Sequence, residues 1–360
     1  MSEPVPILLM ARELGLGGTE RQLTEIARAL DRSRFAPHVG CLHAEGLRGT
    51  ELETAGVPIV RFPVQSLYRP STISAAREMG GYLKQHRIQL VHTFDVPMNL
   101  FGVPVARAYR TPVVLSSQRA FRDLTPGMHR RLLRVTDRLV DGVVVNCEAI
   151  RQHLISDEGV PAGRIDVCYN GIDTEVFRPG LRTAGEQVSI GIVCALRPEK
   201  GLPTLVKAFS EVPGARLIIV GSGPMLGELQ GLAGSLGVQD RCHFEPATNR
   251  VTEWLRKIDI FVLPSLSEAL SNSLMEAMAC GCAVTASSTG GNVELVHPDV
   301  TGLLFPPGDA AALASNLLKL VASEPLRKDL GANASRMILD GFSLKQSAAR
   351  MADIYQAHLR

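Results

Sequence analysis

The sequence predicts an α/β protein of two domains, each with a parallel β-sheet covered by helices on both faces. Short apolar runs of strand length recur along the chain and alternate with longer helical segments, a pattern typical of parallel sheets. The chain has 360 residues, 45% of them hydrophobic. That length is large for one domain and natural for two of ordinary size.

Composition and charge exclude several functional classes. The formal net charge is only +2, so nucleic acid is not an expected partner. No apolar run reaches the roughly 18 residues of a membrane span, and the N-terminal residues predict a first strand rather than a signal peptide. The seven cysteines are scattered without a C-x-x-C pair, and we interpret them as buried thiols of a cytoplasmic protein.

The first domain opens with a predicted strand at residues 6–10, a glycine-rich loop and a helix at 19–30. Further strands are predicted at 38–42, 59–62, 90–92, 113–116 and 142–145. Gly17 and Gly18 lie at the first strand–helix turn, where glycine lets the backbone approach a ligand closely. His92 ends a strand and is therefore expected at the ligand-binding edge of the sheet. The alternative for His92 is a spacer or a hydrogen-bonding residue of the core.

Residues 120–140 are rich in arginine and predict a helix with one basic and one apolar face. The arginines are Arg122, Arg130, Arg131, Arg134 and Arg138. One interpretation is a solvated arginine face above a stripe that packs on the core. The alternatives are contact with an anionic membrane surface or with an acidic acceptor.

The second domain is expected to start at residue 188, after a linker at 179–187. Its first strand, 189–193, runs into a loop that carries Arg197 and Lys200, and a cation there can bind a diphosphate. Gly221 follows a strand at 217–220, where a glycine allows close packing of the next turn. We also predict strands at 242–245 and 301–305, a helix at 309–323 capped by Asp309, and a terminal helix at 343–359.

The second domain is organised around residues 259–294, which predict a strand–loop–helix–strand unit. The strands are 260–263 and 282–286, and Ser271 or Asn272 caps a helix at 273–279 that Gly281 ends. Ligands of such sheets bind outside the carboxyl ends of the strands, so the loop 268–272 is expected at the ligand. The amides at the helix start favour a phosphate.

Two carboxylates, Glu268 and Glu276, accompany these amides. A carboxylate can accept hydrogen bonds from two neighbouring hydroxyl groups of a ribose or a hexose. The alternative is that Glu276 only favours the helix dipole and that Glu268 is a solvated loop charge.

The two glutamates form an E-x7-E pair within P-S-x-x-E-A-L-S-N-S-L-M-E-A-M-A-C-G-C-A-V, followed by T-G-G-N-V-E-L-V. This segment resembles the donor-binding signature of the family 4 retaining glycosyltransferases of GT-B fold. Gly17-Gly18-x-Glu20, Lys200-Gly201 and an N-G-x-D-x-x-x-F-x-P motif at 170–179 are similar to further motifs of that family. The resemblance covers nearly the whole chain.

The resemblance implies a GT-B fold, with two Rossmann-like domains that face each other across a cleft. The N-terminal, acceptor-binding domain would comprise residues 1–180 plus the C-terminal helix 343–360, which crosses back to it. The nucleotide-sugar domain would comprise residues 187–342. The implied activity is transfer of a sugar, with retention, from a nucleotide-diphosphate sugar to a hydroxyl group, in polysaccharide, lipopolysaccharide or glycolipid biosynthesis.

The same resemblance implies roles for residues of this chain. Lys200 and Arg197 would bind the diphosphate together with the loop amides. Glu276 would hold the ribose and Glu268 the donor sugar. The donor-binding set is Gly17, Gly18, Arg197, Lys200, Gly221, Glu268, Leu270, Ser271, Asn272 and Glu276, and the catalytic set is Glu268, Lys200 and His92.

The chain departs from the family pattern in the first domain and at one loop of the second. The usual H-x-H is His92-Thr93-Phe94, the next strand has Gln118 where a histidine is usual, and the family arginine position is Ala195. We therefore predict that Phe94, Gln118 and Arg119 bind the acceptor, a saccharide or a lipid-linked molecule, and that it differs from the commonest acceptors.

No D-x-D pair is evident, so neither a cofactor nor an essential metal is expected. The expected location is cytoplasmic, with peripheral contact at the inner face of an anionic membrane as a further possibility. Two alternatives to transfer remain open, a sugar-nucleotide 2-epimerase-like isomerase and a non-catalytic module that only binds a sugar nucleotide.

Overall fold

The computed structural model describes residues 3–64, 71–180 and 187–360. Most of the predicted linker, 179–187, therefore lies outside the described residues. The chain divides into two compact units, one comprising Met1–Gly171 with Leu344–Arg360 and the other Ile172–Ser343. Every helix among the described residues is too short or too polar to cross a bilayer.

The first unit ends at Gly171, earlier than the expected boundary at residue 180. Ile172 already belongs to the second unit, because its amide donates to the Phe342 carbonyl at 2.9 Å and it forms a parallel bridge with Ser343. The second unit thus begins and ends at two neighbouring residues, Ile172 and Ser343.

Seven strands in the described part of the first unit form one parallel sheet in the order β3-β2-β1-β4-β5-β6-β7. They are β1 Val5–Glu13, β2 Phe35–His43, β3 Ile59–Arg61, β4 Leu90–Thr93, β5 Val113–Gln118, β6 Gly142–Val145 and β7 Ile165–Val167. All the strands predicted in this unit are present. β1 and β2 are longer than predicted because they pair in parallel from Val5 with Phe35 to Glu13 with His43.

The helices of the first unit cover this sheet. They are α1 Gly18–Ala29, α2 Leu47–Thr54, α3 Ser71–Gln85, α4 Val96–Ala108, α5 Gly127–Leu139, α6 Glu148–Ser156 and, from the end of the chain, α14 Leu344–His358. Helix α14 contributes Met351, Ile354 and Tyr355 to the core cluster of this unit. Its return to the first unit is what the resemblance implied.

The described part of the second unit contains a parallel sheet of six strands in the order β10-β9-β8-β11-β12-β13. The strands are β8 Val188–Val193, β9 Ala215–Val220, β10 Cys242–Glu245, β11 Ile260–Leu263, β12 Ala283–Ser287 and β13 Leu303–Phe305. The helices are α7 Leu202–Ser210, α8 Leu226–Ser235, α9 Val251–Leu255, α10 Asn272–Ala279, α11 Asn292–Leu295, α12 Ala310–Ala322 and α13 Glu324–Gly341.

The arginine-rich helix, α5, differs from the first interpretation of its sequence. Of its apolar side chains only Leu133 is buried, whereas those of the expected core-facing stripe are exposed, namely Met128, Leu132, Val135 and Leu139. Arg122, just before the helix, is only 1% exposed and pairs with Asp137 at 2.7 Å. The inner face of the helix is therefore largely polar.

Candidate functional site

The site expected in the second unit lies at the carboxyl edge of its sheet. Strands β8, β9, β11 and β12 are parallel and end at the same edge. Backbone hydrogen bonds join the loops that follow them: Leu266 donates to Glu199 at 2.8 Å and Leu196 to Ser222 at 3.0 Å. The loop after β8 is thereby fixed to the loops after β9 and β11.

Lys200 and Glu268 meet at this edge. The Lys200 Nζ donates to a Glu268 carboxylate oxygen at 2.6 Å, and the Ser265 hydroxyl donates to the same oxygen at 3.0 Å. Burial disfavours the ammonium charge, but the carboxylate of Glu268 outweighs it, so the pKa of Lys200 lies above its ordinary value. The lysine is therefore charged at neutral pH, and the sequence-predicted cation and acid lie side by side.

Ser265 links Glu268 to a buried polar chain beneath the loop. The Ser265 carbonyl accepts from the Ser287 hydroxyl at 2.6 Å, and Asn292 donates to the Ser287 carbonyl at 3.0 Å. Ser265, Ser287 and Asn292 are all fully buried. The sequence analysis did not assign roles to these residues, although Ser265 and Asn292 stand inside the quoted motifs.

Two glycines hold the loops close together. Gly201 has φ +61°, and a Cβ at this position would overlap the carbonyl oxygen of Pro264. Gly221 has φ +157°, and a Cβ there would overlap the carbonyl oxygen of Cys194. A side chain at either position would force the loops apart, so in this structure the two glycines allow the loops to pack closely.

The start of helix α10 is as predicted. Ser271 is the N-cap, and its hydroxyl accepts from the Leu274 amide at 3.3 Å. The side chains of Leu270 and Ser271 are buried, at 4% and 3% exposure, so a role for them in ligand binding would fall to backbone groups. Glu276 is also buried, at 4%.

Arg197 differs from Lys200 in its environment. It is exposed and, within residues 3–64, 71–180 and 187–360, it has no ion-pair partner, so it is available for an anion. A role for Arg197 in place of the family arginine at the Ala195 position stays a prediction. In the same described ranges, no group of three His, Cys, Asp or Glu side chains is arranged to hold a metal ion.

In the first unit, Gly17 and Gly18 are exposed at the start of helix α1. A side chain on Gly17 would overlap the carboxylate of Glu20, which folds back over this turn. The glycines thus lie where the chain turns from β1 into helix α1, as the sequence predicts.

His92 is fully buried, and both ring nitrogens have protein partners. Nδ1 lies 2.8 Å from the Tyr355 hydroxyl and Nε2 lies 2.9 Å from the Ser117 hydroxyl. Burial places its pKa well below the ordinary value, with Arg119 adding to the effect. This placement favours the alternative of a hydrogen-bonding core residue, and a catalytic role for His92 stays a prediction.

The three residues predicted to bind the acceptor occupy different environments. Phe94 is 1% exposed and contacts His92, with ring centroids 4.3 Å apart and the rings tilted by 39°. Gln118 is 2% exposed; its amide donates to the Ala120 carbonyl at 2.6 Å, and its oxygen accepts from Arg122 at 3.1 Å. Both side chains are therefore buried and contact other groups of the protein.

Arg119 is half-buried, and its guanidinium carbon lies 4.9 Å from the centroid of Phe94. One terminal nitrogen donates to Asn170 at 2.8 Å, while Nε is buried without a hydrogen-bond partner. Burial lowers the pKa of Arg119 to about 10. Of the three predicted residues, Arg119 alone is partly exposed, and its unused Nε donor lies on the buried side of the guanidinium group.

Two family profiles match adjoining parts of the chain. The profile described as Glycosyltransferase Family 4 matches residues 16–176, and that described as Glycosyl transferases group 1 matches residues 173–337. The two matches meet close to the division between the units.

Two curated relatives that match the chain share one name, D-inositol 3-phosphate glycosyltransferase. The chain is 32% identical over 277 residues to a D-inositol 3-phosphate glycosyltransferase of Mycobacteroides abscessus, covering 71% of this chain and 61% of the relative. It is 33% identical over 200 residues to the Mycolicibacterium smegmatis protein of that name, covering 51% of this chain and 46% of the relative. The chain thus spans about half the length of these relatives.

Solved structures share the fold. HepE of Anabaena, in complex with UDP and glucose, has a TM-score of 0.87 at 21% identity, with 98% of this chain and 99% of HepE covered. A glycosyltransferase of Rickettsia africae has a TM-score of 0.86 at 19% identity, with both chains fully covered.

Proposed function

The chain belongs to the glycosyltransferases of group 1, with a family 4 domain preceding the group 1 domain, and we propose that it transfers a sugar from a nucleotide-diphosphate sugar to a hydroxyl group. The acceptor is a saccharide, a cyclitol or a lipid-linked molecule. The anomeric configuration of the donor is retained in the product.

The contact between Lys200 and Glu268, 2.6 Å long at the carboxyl edge of the second sheet, carries this proposal. A bound diphosphate forms an ion pair with the Lys200 ammonium, while hydroxyl groups of the sugar donate hydrogen bonds to Glu268. The pair thus offers one group to each side of the bond that breaks. Negative charge grows on the diphosphate as that bond breaks, and Lys200 with the amides at the start of α10 stabilises it.

The names of the similar proteins reduce the range of donors and acceptors that we propose for this chain. HepE has been solved in complex with UDP and with UDP-glucose, which supports a UDP-sugar as the donor of this chain. The curated relatives act on D-inositol 3-phosphate, which supports a hydroxylated ring as acceptor. Arg119, a cation with a partly exposed side chain, is the best suited of the three predicted acceptor-binding residues to contact an anionic group on that acceptor.

The test is a panel of UDP-, GDP- and ADP-sugars. Thermal unfolding of the full chain should shift upward with one nucleotide class. The stabilising donors should then be incubated with inositol phosphates, free saccharides and lipid-linked saccharides, and the products identified by mass spectrometry. Exchange of the C2 proton of the donor without an acceptor would identify an isomerase instead. Stabilisation with neither hydrolysis nor transfer on any acceptor would identify a binding module.

A further inference from the structure

The guanidinium group of Arg119 has two contacts that fix its orientation. Its central carbon lies 4.9 Å from the centroid of the Phe94 ring, which directly follows β4. One terminal nitrogen donates to the side chain of Asn170 at 2.8 Å, three residues after β7. A long side chain on a surface loop ordinarily samples several rotamers, whereas these two buried partners select one.

The Phe94 contact depends on helix α14 through His92, whose ring centroid lies 4.3 Å from that of Phe94. Burial keeps the pKa of His92 well below its ordinary value, so the ring is neutral and has one donor and one acceptor nitrogen. The Tyr355 hydroxyl of α14 lies 2.8 Å from Nδ1, and the two rings meet edge to face at 5.7 Å. Tyr355 therefore holds the ring that Phe94 contacts.

The Asn170 contact depends on the same helix. The carbonyl of Tyr169, the preceding residue, accepts from the Ser347 hydroxyl of α14 at 2.8 Å. Gly171, the next residue, packs so closely on α14 that a Cβ there would lie 2.7 Å from the Leu344 Cα. Helix α14 thus fixes the backbone on both sides of Asn170.

A purely structural role is the alternative for this helix, because Met351, Ile354 and the Tyr355 ring belong to the core cluster of the first unit. Apolar side chains would suffice to fill that core. The hydroxyl groups of Tyr355 and Ser347 instead bond to the residues that support Arg119. Two separate contacts of one guanidinium group therefore lead to two hydroxyl groups of one helix.

We propose that Tyr355 and Ser347 are positioning residues, which hold Arg119 in the orientation that binds an anionic group of the acceptor. This inference rests on the acceptor contact of Arg119 in the proposed function. Tyr355 is fully buried and Ser347 is 6% exposed, so both act through Arg119 rather than by touching the acceptor. Loss of either hydroxyl should weaken binding of an anionic acceptor without changing the donor site.

The first measurement follows Arg119 itself by NMR and needs no ligand. The Nε–Hε signal of Arg119, identified by its absence from R119Q, should be displaced by the ring current of Phe94. In Y355F and in S347A this signal should move towards that of exposed arginines. An unmoved signal in either variant would overturn the positioning role of that residue.

Two matched controls remove similar hydroxyl groups elsewhere. Y82F removes a tyrosine hydroxyl that lies 2.7 Å from Nδ1 of His38, also in the first unit. S335A removes a buried serine hydroxyl that donates to the Ala279 carbonyl at 3.0 Å in the second unit. Both should leave the Arg119 signal in place, and thermal unfolding should show that all variants are folded at the temperature of measurement.

The second measurement is calorimetric binding of D-inositol 3-phosphate as the anionic probe and of UDP as the probe of the donor site. R119Q should weaken binding of the inositol phosphate about tenfold or more, since it removes a hydrogen bond between charged groups. Y355F and S347A should each weaken it about threefold or more, and neither should weaken it further in R119Q, because residues that act through one group are not additive. Affinity for UDP should not change.

Three results would contradict these expectations in different ways. Additive losses in the R119Q background would overturn the proposal, because the hydroxyl groups would then act independently of Arg119. An equal loss of UDP affinity would identify a general structural role for α14 and would also overturn it. If R119Q binds the inositol phosphate as well as the unaltered chain does, or if neither binds it, the proposed acceptor contact fails, while the NMR signal still decides whether α14 positions Arg119.

Discussion

Lys200 and Glu268 restrain each other before any ligand arrives, since each neutralises the other's charge within a largely buried contact (side chains 20% and 13% exposed). A carboxylate beside the diphosphate position would repel the ligand if the lysine were absent. The lysine therefore contributes twice, by attracting the phosphates and by screening Glu268.

The first prediction is that Lys200→Ala weakens binding of the cognate nucleoside diphosphate by about tenfold or more, because a hydrogen bond to a charged group contributes about 1.5–3 kcal/mol. Isothermal titration calorimetry of both proteins measures this. Lys207→Ala, which removes an exposed lysine from helix α7, is the matched control and should bind as the unaltered chain does. Unchanged affinity in Lys200→Ala would reject the diphosphate assignment.

The second prediction concerns Ser265, which acts through Glu268 as a positioning residue. Ser265→Ala removes the 3.0 Å hydrogen bond to the carboxylate but leaves Lys200 in place. Affinity for the nucleoside diphosphate should change little, whereas kcat/KM with the nucleotide sugar should fall about tenfold. Ser235→Ala, at an exposed serine of helix α8, controls for loss of a hydroxyl. Equal losses in nucleotide affinity and in kcat/KM would contradict a role through the sugar.

At the scale of elements, the unit β11–α10–β12 could be predicted closely, because its signals are local. The strand Ile260–Leu263 and the cap at Ser271 are as predicted, and Gly281 ends the helix with φ +75°. Helix α13, by contrast, was not predicted. Its sequence is polar and interrupted by Gly331, where a Cβ would overlap the carbonyl oxygen of Gly281. Close packing on a distant segment, rather than local propensity, fixes it.

Helix α5 illustrates the same limit. The arginine and apolar spacing predicted the helix and its two faces, but not which face points inward. The buried face is the one whose arginines, together with Arg122, form ion pairs with Glu158 and Asp137. These pairs are visible only in three dimensions.

The third prediction tests that ion-pair network. Burial opposes ionisation of Glu158, but hydrogen bonds from Arg134 and Arg130 outweigh it and hold the pKa of Glu158 below its ordinary value. A lowered folded-state pKa gives stability that is present above the unfolded pKa of about 4.3 and lost as pH falls through the folded pKa. Glu158→Gln should therefore cost about 3 kcal/mol of unfolding free energy at pH 7, and the difference from the unaltered chain should shrink below about pH 4.

Urea unfolding across this pH range measures the effect. Glu324→Gln is the control, because Glu324 forms an exposed ion pair with Lys328, and loss of such a pair costs less than about 1 kcal/mol. A cost for Glu158→Gln that stays constant down to pH 3 would show that packing, rather than charge, is responsible.

At the scale of the whole molecule, periodicity predicted the two parallel sheets, the motifs indicated the family, and the resemblance to that family implied the return of the last helix. The environments in the first unit were not. His92 bonds to Tyr355, which is 263 residues away in sequence, and Gln118 bonds to the buried Arg122. Such partners carry no local signal. The sequence could identify Gln118 as a departure from the family and His92 as a match, but it could not show that both side chains hydrogen-bond to other residues of the protein.

The last prediction concerns the stereochemistry of transfer. A retaining double displacement needs a carboxylate nucleophile close to the anomeric carbon. Glu268 is bonded to Lys200 and Ser265, and Glu276 is buried in helix α10, so neither is placed as a free nucleophile. We expect the acceptor to attack from the face that the phosphate leaves, with a departing phosphate oxygen taking the hydroxyl proton. An α-linked donor should then give an α-linked product, seen by proton NMR of the first product formed. Mass spectrometry of the protein incubated with donor alone should find no added sugar; a β-linked product or a glycosylated Glu268 would show that this account is wrong.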